Sequence, residues 1–590
     1  MVAVHLTPKA DAPAVTLEVD GRQVAARSGE MLLTVLRREG VHVPTLCHLA
    51  HLTPTGACRL CVVEVEGQKN LVPSCAFPVG AGMVVHTHSA RAQRARKTIV
   101  ELLLADHPDD CLYCVRAGNC DLAGLARDLG VRERRYRGGK SEHHVDASSS
   151  AILRDPAKCI LCGKCVRVCE EVQGVSAIDF VGRGCHTQVG TAFDEGLNLS
   201  ECIMCGQCIN VCPTGALREV SHLKPVTDAL ADKRRVAVVQ HAPSISVTIA
   251  EELGLPPGAD ATGILNAALR RLGFRHVFDT GFSADLTIME EASELVHRIS
   301  TGGVLPMMTS CSPGWVQWVE QSAPDLIPNV SSCKSPQQML GAVIKRVWAE
   351  RNGLLPEDVF SVSIMPCTAK KAEAARPEMA PDGVPDVDAV LTTRELLRLF
   401  QLRGLDLRQL APEPADAPYG ERSSAGKLFG VSGGVAEAAL RTAWFMLTGD
   451  ELPIDAITEL RGLDGTKETH VKVGDLSVGV AVVNGLKNAQ RLLEEVRAGR
   501  RPDLTFIEVM TCPGGCIAGG GQPIGTNPDA VRARMRALYT LDASEPVRAS
   551  HKNTQVRALY DEVLGAPLGE ASHHMLHTHY ARRGVHHEGV

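Results

Sequence analysis

The chain has 590 residues, 44% of them hydrophobic, with a formal net charge of −6. That length is more than one core organises, so several domains are expected. Mild acidity leaves no footprint for nucleic acid, 4% aromatic residues offer few stacking platforms for single strands, and no stretch is apolar and long enough to span a bilayer.

The start, MVAVHLTPKADAP, lacks a basic segment followed by an apolar core, so a cytoplasmic protein is expected. In a reducing compartment, 21 cysteines mean ligands rather than disulfides, and most of them lie in the first 212 residues.

Residues 14–24, AVTLEVDGRQV, alternate apolar and polar around Asp20-Gly21, which predicts a hairpin. A short helix is expected over Glu30–Arg38. Cys47, Cys58, Cys61 and Cys75 follow, spaced C-x10-C-x2-C-x13-C. Four thiolates in a small β-rich domain suit a 2Fe–2S cluster, with zinc as the alternative. Residues 89–105 predict an amphipathic helix. Beyond it stand His107, Cys111, Cys114 and Cys120, one imidazole and three thiolates that could hold zinc or a 4Fe–4S cluster. Residues 133–150 are polar and predict an exposed linker.

Two runs then repeat. Cys159, Cys162, Cys165 and Cys169 form the first; Cys202, Cys205, Cys208 and Cys212 form the second. In the two-cluster bacterial ferredoxin pattern the fourth cysteine of each run serves the other cluster. Cys159, Cys162, Cys165 and Cys212 should therefore share one 4Fe–4S cluster, and Cys202, Cys205, Cys208 and Cys169 the second. Cys185 has no partner spacing and is expected to be a structural thiol.

Beyond about residue 235, strand-like runs (Arg235–Gln240, Val277–Phe278, Val359–Ile364) alternate with helical patterns (Asp285–Ile299, Pro336–Arg351). This predicts an α/β domain of two parallel sheets around a site, with ligands at loops that follow strands. Three cysteine motifs fall there: TSCSPGW at 309–315, MPCTAKKAE at 365–373 and FIEVMTCPGGCIAGGGQP at 506–523. Thiolates suit a soft metal, and the glycines around Cys512 and Cys516 let backbone approach a bulky inorganic group.

Together these three motifs resemble the signature of the iron-iron hydrogenases. The N-terminal cysteine modules resemble those shared by that family and the iron-sulfur subunit of respiratory complex I. The resemblance runs from about residue 14 to 580. It implies a multidomain α+β and α/β chain: a β-grasp 2Fe–2S ferredoxin domain (13–90), a histidine-ligated 4Fe–4S domain (91–150), a two-cluster ferredoxin domain (151–225), an α/β catalytic domain with the H-cluster (226–540) and a small-subunit-like segment (541–590). The implied cofactors are one 2Fe–2S cluster, three 4Fe–4S clusters and the H-cluster, a 4Fe–4S cube bridged to a di-iron unit carrying CO, cyanide and an azadithiolate. Its implied activity is reversible conversion of H2 to protons and electrons.

By motif match, Cys367, Cys512 and Cys516 ligate the cube, with Cys516 bridging. Lys370 and Ser244 would donate to cyanides. Ala242, Pro243, Gln337, Met365, Phe429, Gly430 and Met510 would line the di-iron pocket. The family's proton route maps onto Cys311, Glu291, Ser331, Glu294 and Arg298. Glu291, Glu294 and Arg298 share one face of a predicted helix. The first motif departs from the common form, which has two adjacent cysteines; here Ser312 stands in the second place. Cys333, where the family commonly has alanine, is expected to replace the missing thiolate, with ligation by Ser312 itself as the alternative.

Partners implied are flavin- and NAD(P)-binding diaphorase subunits, ferredoxin, or both, in a hetero-oligomer, since the chain has no evident nucleotide fingerprint. A hydrogen sensor, a complex I-like or formate dehydrogenase-like subunit and an iron-sulfur assembly protein are the competing classes. A retained Cys311 speaks against the first, the three late motifs against the second and the N-terminal cluster modules against the third. The closing His586-His587 is expected to be tail.

Overall fold

The computed structural model describes residues 12–138, 144–256, 259–473 and 476–584. The expected tail histidines and part of the expected linker lie outside the described residues. None of the described helices is long and apolar enough to cross a membrane.

The predicted hairpin is present. Ala14–Val19 pairs antiparallel with Arg22–Arg27, and the turn residues Asp20 and Gly21 have φ of 49° and 82°, the left-handed turn that matches strand twist. A mixed five-stranded sheet follows in the order Arg22–Arg27, Ala14–Val19, Val84–His86, Val62–Val65, Val72–Pro73. Helix Leu32–Arg38 packs on it through Leu33 and Leu36 against Leu17, Val63 and Val85. Helix Ala90–Asp106 begins where Ser89 Oγ accepts from the Ala92 amide at 3.2 Å and delivers His107 at its C-terminal end.

The ferredoxin repeat is visible in the backbone. Leu161 and Met204 have φ of 52° and 56°, and Gly163 and Gly206 have 66° and 71°. The same left-handed steps thus precede short helices Lys164–Arg167 and Gln207–Val211. Cys185 sits on an exposed 3-10 turn, outside both cysteine groups of the repeat.

The catalytic region holds two four-stranded sheets. One is wholly parallel: His276–Asp279, Val236–His241, Val359–Met365, Ala389–Thr392. The other runs Met307–Met308, Leu504–Met510, Leu476–Asn484, Thr466–Val473 and is mixed, because its last two strands form an antiparallel hairpin. The expectation of two parallel sheets is corrected there. Helix Thr280–Thr301 starts five residues before the predicted Asp285, since Asp279 Oδ1 caps the Gly281 amide at 2.7 Å. The predicted helix at Pro336–Arg351 is continuous but takes a π-turn at Ile344–Trp348.

The C-terminal segment wraps this region with helices Pro528–Ser544, Thr554–Leu559 and Glu570–Leu576. Buried polar anchors hold it. Asp285 accepts from Ser423, Ser550 and Asn553, and Asp542 accepts from Ser424, Arg441, Arg461 and Arg548. Such pairs resist separation because removing one partner strands a buried charge.

Candidate active site

Parallel strands place their carboxyl-end loops on one side, and both sheets turn those ends toward a common cavity. Strand Val236–His241 delivers Ala242, Pro243 and Ser244; strand Val359–Met365 delivers Pro366 and Cys367. Met307–Met308 leads to Cys311 and Ser312, and Leu504–Met510 to Thr511, Cys512 and Cys516. All of these line one cavity, with Gln337, Lys370, Phe429 and Gly430 completing its wall.

Every pocket residue expected from the sequence is on that wall; Cys333 is not. Its side chain is fully buried behind the wall, among Phe282, Met339, Leu340 and Leu576, and its thiol faces Glu294 and His577. The expected compensating thiolate is corrected on that ground. Position 333 precedes helix Pro336–Val343 and is pinned by a bridge to His577 on the C-terminal segment. Motif proximity to Ser331 did not translate into proximity to the cavity. Ser312 does face the cavity, its hydroxyl 2.8 Å from Thr511 Oγ1.

Lys370 is buried, not solvated. Nζ donates to Glu373 Oε2 at 2.9 Å and to the Cys311 carbonyl at 3.1 Å. Glu373 was missed by sequence reading. It also accepts from Ser335 Oγ (2.9 Å) and Gln337 Nε2 (3.1 Å), so it positions two side chains of the wall, Lys370 and Gln337. The i,i+3 spacing of Lys370 and Glu373 was the available signal.

Close packing explains the glycines. A Cβ at Gly519 would lie 2.2 Å from the Pro366 carbonyl oxygen, and one at Gly520 2.0 Å from that of Cys205. The triplet thus fits backbone against backbone, joining the Cys367 loop to the ferredoxin domain; the expected approach to an inorganic group is only part of its role. Gly514 and Gly515 have φ of 84° and 91° and turn the chain between Cys512 and Cys516.

A polar trail leads from Cys311 to the surface. Glu291 is fully buried and Cys311 is half-buried at the cavity wall; the two interact electrostatically, and burial first, then the Glu294 charge, pushes the Glu291 carboxyl up to about 8. Neither Glu291 oxygen makes a well-formed hydrogen bond. Ser331 Oγ donates to Glu294 Oε2 at 2.7 Å. Arg298 Nη2 donates to Glu294 Oε1 at 2.6 Å, and its Nη1 donates to the carbonyls of Val304 and Pro328 at the surface.

Eight of the earlier cysteines gather in two groups. Cys159, Cys162, Cys165 and Cys212 line one cavity, and Cys169, Cys202, Cys205 and Cys208 another. Cys205 also lines the large cavity, so the two sites share a wall. In the first domain Cys47 lies against Cys58 and Cys75, and Cys75 against Cys61. Arg167 donates to the carbonyls of Cys47 and Thr53, tying that loop to the ferredoxin domain. Arg116 Nη1 donates to the Cys212 carbonyl at 3.3 Å, and Cys114 Sγ would lie 3.0 Å from a Cβ at Gly215, so the histidine module abuts the same domain from another side.

The donors fit iron-sulfur groups. His107 Nδ1 is 3.1 Å from the Pro108 carbonyl, while Nε2 is buried and unpartnered, as a ligating nitrogen would be. Ser244 Oγ is also buried and unpartnered on the cavity wall. Burial raises Cys367 and pushes Cys516 up to about 12; a metal makes such thiolates favourable. Three thiols and one serine hydroxyl face the cavity from the ligand positions, one thiol fewer than the family's common form.

Comparisons with known proteins agree along the chain. Residues 235–520 match the iron only hydrogenase large subunit, C-terminal domain, and residues 528–583 the iron hydrogenase small subunit. Residues 12–90 match a 2Fe–2S iron-sulfur cluster binding domain. Residues 96–135 match an NADH-ubiquinone oxidoreductase-G iron-sulfur binding region, and residues 149–218 a ferredoxin-like domain of NADH-quinone oxidoreductase subunit 3. The NADP-reducing hydrogenase subunit HndD of Solidesulfovibrio fructosivorans is 46% identical, over 96% of this chain and 99% of that protein. Iron hydrogenase 1 of Clostridium pasteurianum is 38% identical over 96% of this chain and 100% of its own length. An apo FeFe-hydrogenase HydA1 variant from Chlamydomonas reinhardtii superposes with a TM-score of 0.56 at 44% identity, covering 62% of this chain and all of that one. With Cys311, Cys367, Cys512 and Cys516 on one wall and a relative of this identity matched end to end, the chain belongs to the iron-only (FeFe) hydrogenase family.

Proposed function

We propose that this hydrogenase forms and splits H2 in the cavity lined by Cys311, Cys367, Cys512 and Cys516 and exchanges the electrons with a nicotinamide-linked partner through its iron-sulfur domains. The convergence of Cys311, Cys367, Lys370, Cys512 and Cys516 on one wall carries the reading. Cys367, Cys512 and Cys516 would hold the cube, with Ser312 in the fourth place, and Lys370 and Ser244 would donate to the di-iron unit. When bound, that centre supplies the redox chemistry of hydrogen.

The chain's own residues do the rest. Met365, Phe429 and Met510 keep water from the cavity, which strengthens each donor aimed into it. Cys311 holds the proton at Sγ. Glu291, protonated below about pH 8, gives its proton to Cys311 and takes another from the Ser331 side, or runs the exchange in reverse, and Ser331, Glu294 and Arg298 continue the path outward. Glu373 orients Lys370.

Electrons would pass from the cavity to the Cys202–Cys205–Cys208–Cys169 cluster across the shared Cys205 wall, then to the Cys159–Cys162–Cys165–Cys212 cluster. From there the path forks toward the 2Fe–2S site and the His107 site. The hydrogenase subunit name of the Solidesulfovibrio relative, together with the absence of an evident nucleotide fingerprint in this sequence, supports a hetero-oligomer whose other subunits bring flavin and NADP.

The test is H2-dependent reduction by the matured chain, alone and with flavin-containing subunits. Viologen dye should be reduced by the chain alone and NADP only when the subunits are added. Failure of the fully loaded chain to reduce dye under H2 would overturn the reading.

A further inference from the structure

Behind the cavity wall lies a cluster that joins Glu294 of the proton path to two residues the hydrogen chemistry does not use, Cys333 and His577. A carboxylate oxygen of Glu294, the Cys333 sulfur and a ring nitrogen of His577 all lie within 4.8 Å of one another, and all three residues are buried. The backbone sets this meeting before any ligand arrives. Cys333 and His577 form an antiparallel bridge, flanked by Lys334 N donating to Leu576 O and Thr578 N donating to Ser332 O, both at 2.8 Å.

The imidazole is doubly held, with Nδ1 2.8 Å from Ser332 Oγ and Nε2 3.1 Å from Glu290 Oε2. Whichever nitrogen takes a metal, the other keeps an oxygen partner, the arrangement that orients metal-bound histidines. The Glu294 and Glu290 carboxyls both act on the thiol, while Glu291 beside them is neutral below about pH 8. Arg298 is the cation hydrogen-bonded to Glu294. A thiolate and a carboxylate would neutralise a dication, and one sulfur, one nitrogen and one oxygen suit zinc rather than magnesium or calcium. The exposed His573 ring stacks on His577 at 4.5 Å, so the surface is one side chain away.

We propose that Glu294, Cys333 and His577 form a binding site for a borderline-soft divalent cation of the zinc class, and that its occupation closes the proton path to Cys311. The second half rests on the relay proposed above: Glu294 accepts the Ser331 hydroxyl, and a dication on that carboxylate occupies its lone pairs and repels a proton. The site lies in the join between the catalytic domain and the C-terminal segment, so the cation would also staple the two.

The experiment uses fully loaded enzyme, wild type beside Cys333→Ala and His577→Asn. Each is incubated with zinc sulfate, desalted, and assayed for retained zinc, for the zinc X-ray absorption edge and for hydrogen evolution relative to its own zinc-free rate. Wild type should keep one more zinc per chain than either variant, with a sulfur scatterer in its shell. The zinc concentration that inhibits should rise at least about tenfold in both variants, as loss of a ligand requires. Equal zinc retention in wild type and Cys333→Ala, or a shell without sulfur, overturns the site. Zinc retained at the site without loss of turnover upholds the site and overturns the closure.

Discussion

Replacing Glu291 by Gln tests the proton path with little structural disturbance. The carboxyl is fully buried and titrates near 8, so at pH 7 it is already neutral. An amide of the same shape changes no charge beside the cavity, and no well-formed hydrogen bond is broken. What disappears is the ability to pass a proton to and from Cys311. A positioned acid or base is worth about 100- to 10,000-fold in rate, or about 2.7–5.5 kcal/mol of barrier. Hydrogen evolution and uptake should fall within that range, while iron content and the electron paramagnetic resonance signals of the relay clusters stay at wild-type levels. Rates within about threefold of wild type, far short of the loss expected for a general acid, would refute the assignment.

The same carboxyl gives a pH signature. Its folded value lies above that of an unfolded carboxylate, so its contribution to stability is full below the ordinary carboxylate range and is lost as pH rises through about 8. A protonated-carboxyl infrared band should vanish with a midpoint near 8 and be missing at every pH in Glu291→Gln; a midpoint in the ordinary carboxylate range would contradict the burial argument. Lys370→Met removes one charge-assisted donor and should weaken retention of the di-iron unit by about 10- to 100-fold, read from infrared intensity after limiting maturation. Cys333→Ala should keep the full iron complement, whereas Ser312→Ala, which removes the cavity-facing oxygen, should diminish the resonance signal of the cube. Iron loss in Cys333→Ala would return that thiol to the ligand set.

Ligand sets written in local spacing were legible before any coordinates. The C-x2-C-x2-C-x3-C runs dictate a repeated loop, and the crossed assignment of Cys169 and Cys212 agrees with the two cavities they line. The hairpin at Asp20-Gly21 and the face shared by Glu291, Glu294 and Arg298 were legible for the same reason, since each depends on neighbours a few residues apart. Contacts made across long stretches of chain were not. His577 meets Glu290 and Cys333 only because the C-terminal segment folds back over helix Thr280–Thr301. Cys333 was placed in the cavity by motif order, yet a residue's side of a wall is decided by the elements packed against it. Glu373 looked like an ordinary helix charge until Ser335 and Gln337, from another helix start, were found to converge on it.

The central claim is that late, scattered thiols surround a dry hollow built for an organometallic iron centre. Infrared spectroscopy of the matured chain tests it most directly. The account predicts sharp CO and cyanide stretches that shift in Lys370→Met. A matured protein with every relay cluster in place and neither stretch would contradict it.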